Sequence, residues 1–244
     1  MSSLSVELKK PLKTIFNQLP VIEETYRRYM PLTWQDEIRR EFTNPYSALE
    51  EENEVIFIHI PKAAGNAVTQ ALFGQDSPGH FELNRYHEQD ELRFFKYTKF
   101  GFVRNPWARL VSAFHFLKQG GKSVNDQRFS DAQLARFDDF ESFAYALEDE
   151  LFVDKLFKWI HFKPQYDFLS VDGKLQMDFI GKQECMEEDF ARLKLLLNMP
   201  EATLKHVNTS SHNHFKSYYN DRTWDIVSKV YLWDIQSLGY ENEI

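Results

Sequence analysis

Two short segments carry the residue types needed to grip an anion. The first is Ile60-Pro61-Lys62-Ala63-Ala64-Gly65-Asn66, followed by Ala67, between an apolar run and a helical one. A tight turn that feeds a helix offers unpaired backbone N–H groups and the positive end of the helix dipole. Lys62 adds a mobile point charge, and Gly65 permits close approach of the backbone. The same residues also fit an ordinary strand-to-helix turn with an exposed lysine, and local physics leaves both readings open. The second segment is Phe102-Val103-Arg104-Asn105-Pro106-Trp107-Ala108-Arg109-Leu110-Val111-Ser112. Arg104 ends a strand, on the rim where α/β proteins bind ligands, and arginine pairs bidentately with phosphate. Ser112 lies off the Trp107/Leu110/Val111/Phe114 stripe, which leaves its hydroxyl for a cleft. An N-cap salt bridge for Arg104 and a packed Ser112 satisfy the spacing equally. Gly121-Lys122-Ser123 imitates the end of a Walker A loop, but the earlier glycine would fall on Phe116 and the segment follows a helix, so that motif is excluded.

These segments need elements to position them. Val55-Ile56-Phe57-Ile58-His59-Ile60 is short, apolar and β-branched, as a buried parallel strand should be. Pro61 to Asn66 break it, and Ala67 to Phe73 suit a helix. A second strand is predicted from Tyr97 to Val103. Asn105-Pro106 then supplies an N-cap and a proline at the first helical position. Residues 119–131 read as a loop, 132–161 as helix, Met177 to Ile180 as a strand and Glu187 to Asn198 as a helix. His206 to Tyr219 is a polar loop, and Asp221 to Leu238 a final helix. Residues 1–54 look helical and accessory, with Glu50-Glu51-Glu52-Asn53-Glu54 as a solvated connector. The expectation is therefore a helical N-terminal extension over 1–54 and an α/β domain over 55–244, a P-loop-like three-layer sandwich with a central parallel sheet flanked by helices.

Composition limits the partners. The 244 residues carry 29 Lys and Arg against 37 Asp and Glu, a formal net charge of -8. So acidic a chain is a poor binder of nucleic-acid phosphates, although a few cations in one cleft still make a local positive site. Cys185 is the single cysteine, which rules out an intramolecular disulfide and suits a reducing compartment. His212 and His214 flank Asn213 in a polar loop, a surface arrangement and not a metal site. The N-terminus has no long apolar core of a signal peptide, and no window has the ~18 apolar residues of a membrane span. The chain reads as cytoplasmic.

Together the two anion-gripping segments resemble the donor-binding motifs of the family 2 sulfotransferases, the group that includes heparan sulfate 2-O-sulfotransferases and many bacterial relatives. The strand followed by Ile60-Pro61-Lys62 and Ala64-Gly65 resembles the family's 5'-phosphosulfate loop. Phe102 to Ser112 resembles its 3'-phosphate motif, with Arg104 and Ser112 at the matching positions. His161-Phe162-Lys163-Pro164-Gln165, Phe179-Ile180-Gly181-Lys182 with Glu184, His206-Val207-Asn208-Thr209-Ser210 and the closing Asp234 to Tyr240 agree with it, so the likeness spans roughly residues 55–241.

The resemblance implies in-line transfer of a sulfuryl group from 3'-phosphoadenosine-5'-phosphosulfate (PAPS) to an acceptor hydroxyl, with PAP as product and no metal. The family prior makes the acceptor a glycan, on which Trp159, Tyr218 or Tyr219 would stack if they are not core residues. Lys62 would neutralise charge on the leaving phosphate oxygen. Pro61 to Ala67 would hold the 5' end, Arg104 and Ser112 the 3'-phosphate, and Thr209 and Ser211 would add contacts from their loop. Family loops often carry Thr or Ser where this chain has Ala63, Asn66 and Ala67, so backbone N–H groups, the Asn66 amide and Thr69 would replace those hydroxyls. Family members commonly place a histidine about two dozen residues before the arginine. His80 stands 24 residues before Arg104, which makes it the implied catalytic base. His87 is the rival, in a charged stretch that reads as an exposed helix. His59 reads as a core residue, and His115 as one bordering the cleft. Two other functions remain open: a nucleotide-dependent kinase, and a non-catalytic nucleotide- or partner-binding module on the same fold.

Overall fold

In the computed structural model, strand β1 (Val55–Ile58) pairs in parallel with β2 (Thr98–Val103), and β2 pairs in parallel with β5 (Phe179–Lys182). Residues 43–77, 79–204 and 214–243 are described, and all but the first two lie in one compact unit, Pro45–Ile244. Residues 1–42 of the expected helical extension lie outside the described residues.

Parallel neighbours need crossovers, and helices supply them. Between β1 and β2 run α2 (Gly65–Phe73), α3 (Leu83–Gln89) and α4 (Glu91–Lys96). Between β2 and β5 run α5 (Pro106–Lys118), α6 (Val124–Phe129), α7 (Phe140–Ala146), α8 (Glu150–Phe157) and α9 (Gln165–Leu169). A hairpin of β3 (Ser170–Val171) and β4 (Lys174–Leu175) follows. After β5 come α10 (Met186–Leu196), α11 (Asp221–Val230) and α12 (Leu232–Ser237).

β1 and residues 100–103 of β2 are buried on both faces, which is why they are apolar and do not alternate. Val55 and Phe57 of β1 and Phe100 and Phe102 of β2 pack on one face with Val68 of α2 and Phe190 and Leu193 of α10. The Phe57 and Phe100 rings lie 5.0 Å apart, and burying each phenyl contributes about 2–3 kcal/mol. On the other face Gly101 leaves room for α9. A Cβ there would sit 3.4 Å from Leu169 Cδ2 and 3.0 Å from the Ile58 carbonyl.

Several expectations shift. The long helix over 132–161 is in pieces: a π-helical turn at Ser130–Leu134, then α7 and α8, capped by Asp139 and Asp149. The loop over 119–131 contains α6, whose N-cap is Ser123 of the rejected P-loop imitation. The final helix breaks at Tyr231 into α11 and α12. Glu50 is not part of a solvated connector. It lies fully buried in α1 (Ala48–Asn53), forms a capping box with Ser47, and accepts from the Tyr86 hydroxyl at 2.7 Å. Among the described residues no helix is long and apolar enough to cross a membrane.

Candidate functional site

The C-terminal ends of β1 and β2, adjacent in the sheet, place the two predicted segments side by side. The backbone from His59 to Ala64 is the centre of the arrangement. Lys62 and Ala64 both hold left-handed conformations, at φ 71° and 61°. Two such non-glycine residues in one short turn store a few kcal/mol of strain, which the surroundings must impose.

Four successive carbonyls of this turn are each taken by a donor. His59 O accepts from His80 Nδ1 at 2.7 Å, Ile60 O from Ala63 N at 3.3 Å, Pro61 O from Arg109 Nε at 3.0 Å, and Lys62 O from the Arg104 guanidinium at 3.3 Å. The N–H groups of Ala64, Gly65 and Asn66 find no acceptor among the described residues. With the carbonyls tied back and the N–H groups left over, the turn is a concave nest of partial positive charge at the start of α2.

Gly65 has a reason the sequence did not reveal. A Cβ on it would stand 2.0 Å from His59 Cδ2, so the close approach it permits is that of the His59 ring. His59 is buried as expected, stacked on Phe57 at 5.7 Å and tilted against His80 at 4.2 Å. Burial, then His80, pushes its pKa down to about 3. Thr69 does not face the nest: it is fully buried, with its hydroxyl on the Gly65 and Asn66 carbonyls.

Two cations flank the nest. Lys62 is half-buried, with Nζ 4.3 Å from the centre of the Phe116 ring, and burial, Arg104 and Lys122 lower its pKa to about 8. Arg104 is half-buried too, and burial lowers its pKa. Neither forms an ion pair with a carboxylate among the described residues. Two half-buried cations without a carboxylate in direct contact are uncommon, and for Arg104 the more distant Glu184 only opposes the lowering by burial. Ser112 is half-buried on α5, and its hydroxyl makes no hydrogen bond among the described residues. Thr209 and Ser211 lie outside the described residues, as do His206 and His212.

His80 and His87 stand in different places. The Nδ1 of His80 must carry the proton to donate to the His59 carbonyl, which leaves the lone pair on Nε2. His87 lies on α3, with Nε2 3.9 Å from Glu91 and its ring edge-on to Phe94. His161 comes unexpectedly close to the nest. It is buried, 5.0 Å from the Phe116 ring, with Nδ1 3.7 Å from Asp126. Its pKa is pushed down to about 3 by burial, with Asp126 opposing and His80, Arg109 and Lys62 adding to the fall.

Arg109, within the second segment, has a role that the sequence does not reveal. It is 2% exposed and donates to the carbonyls of Pro61, Lys163 (2.9 Å) and Ile160 (3.3 Å), so it ties the nest to the chain before α9. A charged residue on an otherwise apolar helix face was the available signal. Of the aromatics considered for sugar stacking, Trp159 is a core residue, stacked on Phe129 at 4.8 Å. The Tyr219 hydroxyl donates to the Trp107 carbonyl at 2.9 Å. Tyr218 packs against His115 at 5.0 Å. Among the described residues no group of three or more His, Cys, Asp or Glu gathers as metal ligands.

The sequence model described as the sulfotransferase family matches residues 46–241. An uncharacterized protein of Archaeoglobus fulgidus is 29% identical over 123 residues, which cover 50% of this chain and 86% of that protein. No solved structure gives a significant match.

Proposed function

The chain belongs to the sulfotransferase family, and on that premise we propose that it moves a sulfuryl group from PAPS to a hydroxyl on a carbohydrate. The observation that carries the reading is the nest: three N–H groups without acceptors among the described residues, beside two cations with no carboxylate in direct contact among them, at the ends of adjacent parallel strands. That donor set fits the two phosphate ends of PAPS, and it fits them without the side-chain hydroxyls that many family loops carry at Ala63, Asn66 and Ala67.

PAPS as donor substrate supplies an activated sulfuryl group whose S–O bond to phosphate breaks as the acceptor oxygen bonds to sulfur. The protein's part is positioning and charge. The N–H groups of Ala64, Gly65 and Asn66 hold the 5'-phosphate, within a loop running from Pro61 to Ala67. Lys62 leaves the Phe116 ring to meet the charge that grows on the leaving oxygen. Arg104 and Ser112 hold the 3'-phosphate, with Thr209 and Ser211 as further contacts. His80 Nε2 takes the acceptor proton while Nδ1–H stays on the His59 carbonyl, so the imidazolium forms already anchored.

Titration with PAP, AMP and ATP tests the reading. A sulfotransferase prefers PAP, a kinase prefers ATP, and a partner-binding module takes up none of them. Arg104→Ala should weaken PAP by roughly 10–150-fold, the value of one charge-assisted hydrogen bond, and barely change AMP. Equal losses for both nucleotides would assign Arg104 to the fold instead.

A further inference from the structure

β2 ends at Val103, which pairs with Lys182 of β5. Arg104 is the first residue beyond that pairing, so its backbone must find partners elsewhere or lie unsatisfied. Gln165 provides them. Its carboxamide oxygen accepts from Arg104 N at 2.9 Å and its Nε2 donates to Arg104 O at 2.7 Å. One side chain thus acts as a single-residue strand and fixes both peptide groups of the arginine. The primary amide donates and accepts from two adjacent atoms at neutral pH, which a carboxylate or a thioether cannot do, and Gln165 is fully buried, so water offers no substitute.

Gln165 is itself held. Asp234 of α12 accepts from Gln165 N and from Tyr166 N, both at 2.8 Å, one on each carboxylate oxygen. These are the first two N–H groups of α9, whose N-cap Pro164 has no capping side chain. Asp234 therefore caps α9 from a remote helix. It too is fully buried, and burial raises its pKa to about 6. The missing side chain at Gly101 lets Leu169 lie against the sheet, which brings α9 within reach of the strand end.

The adjacent residue is restrained in the same manner. Asn105 N donates to Glu184 at 2.7 Å, and Glu184 accepts from the Tyr240 hydroxyl at 3.0 Å. What this leaves for selection is the direction of the Arg104 side chain.

We propose that Gln165, locked by Asp234, is a positioning residue that aims Arg104 at the 3'-phosphate and so sets the preference of the site for PAP over AMP. This rests on the reading of Arg104 as the 3'-phosphate ligand. Gln165 and Asp234 touch no nucleotide; they act through the Arg104 backbone.

The experiment compares PAP and AMP affinities by calorimetry in wild type, Arg104→Ala, Gln165→Met, Gln165→Glu and Asp234→Asn, each checked for folding by circular dichroism. Gln165→Met keeps the volume and removes both hydrogen bonds, and should weaken PAP by roughly 10–100-fold and AMP by less than about threefold. Asp234→Asn, which keeps shape but weakens the cap, should show a smaller loss with the same PAP bias. In Gln165→Glu the protonated acid can both donate and accept, so PAP affinity relative to wild type should recover as the pH falls. If Gln165→Met does not fold, the last two variants decide the question. A loss of equal size for PAP and AMP, or a pH-independent defect in Gln165→Glu, overturns the proposal. Should Arg104→Ala abolish the PAP preference while the Gln165 and Asp234 variants keep it, the positioning role fails and the reading of Arg104 stands. Should Arg104→Ala itself keep the preference, the reading of Arg104 fails first.

Discussion

Raising the pH from 7 to 9 should weaken PAP binding about tenfold, and Lys62 alone should account for it. Burial against the Phe116 ring, with Arg104 and Lys122 nearby, holds the free lysine at a pKa of about 8, below the ordinary 10.5. With a second pKa of ~6, each PAP phosphate is about nine-tenths ionised at pH 7 and almost wholly so at pH 9, so the ligand contributes only about a 1.2-fold change, in the opposite direction. Binding requires the ammonium, and a bound phosphate stabilises it. At pH 7 about nine-tenths of the free lysines carry the proton and at pH 9 about one-tenth, a loss of roughly 1.4 kcal/mol. Lys62 should therefore take up about 0.9 proton on binding PAP at pH 9, and at pH 7 only about 0.1, which release of about 0.1 from each phosphate more than cancels. Calorimetry in buffers of different ionisation heat reads this uptake directly. Lys62→Ala should bind more weakly and show no such slope. For the ligand-free protein the sign is reversed: the native state holds fewer protons than the unfolded chain between pH 8 and 10.5, so stability rises across that window. A flat wild-type profile, or a slope that survives in Lys62→Ala, would refute the reasoning.

Three further outcomes follow from the geometry. His80→Ala should leave PAP binding within about threefold and cut the sulfation rate by ~10²–10⁴, as expected for a general base, while His87→Ala keeps the rate; the reverse pattern moves the base to His87. Gly65→Ala drives a methyl into the His59 ring, which is wedged between Phe57 and His80, and overpacking of that kind costs about 1–3 kcal/mol. Scanning calorimetry should show a fall in Tm of roughly 2–12 °C, and an unchanged Tm would mean that the ring moves freely. Arg109→Met strands the buried Pro61 carbonyl and two part-buried ones and should destabilise the fold by roughly 1–3 kcal/mol in urea unfolding; a neutral result would show that the chain from Ile160 to Lys163 needs no tie to the nest.

What the sequence disclosed was local. The β-branched run at Val55, the Asn105-Pro106 helix start and the strand-end position of Arg104 are short-range signals, and Asn105 does cap Ala108 N at 3.0 Å. Some signals were present but outweighed. Ser47 and Glu50 are spaced as a capping box, yet the run of glutamates suggested a solvated connector. Asp139 and Asp149 are N-caps that divide residues 132–161, where apolar content alone suggested one helix. The roles of Arg109, Gln165 and Asp234 were not legible, because their partners lie dozens of residues away and no periodicity encodes such a pairing. Only the likeness of their segments to the family's motifs drew any notice to Gln165 and Asp234.

The remote anchoring of Arg104 also bears on how the protein is made. A ribosome releases the nest and Arg104 early, and the residues that hold them in place late: Gln165, then Glu184, then Asp234 and Tyr240. A domain generally folds as a unit, so the early residues wait for the late ones. A nascent chain that has emerged only as far as β5 carries Lys62, Arg104, Ser112 and His80, yet lacks the carboxylate that locks Gln165. A fragment ending near Tyr231 would keep every described residue assigned to the donor, yet without Asp234 it should favour PAP over AMP less strongly. Full preference for PAP over AMP would thus arise only once Asp234 and Tyr240 have been added to the chain.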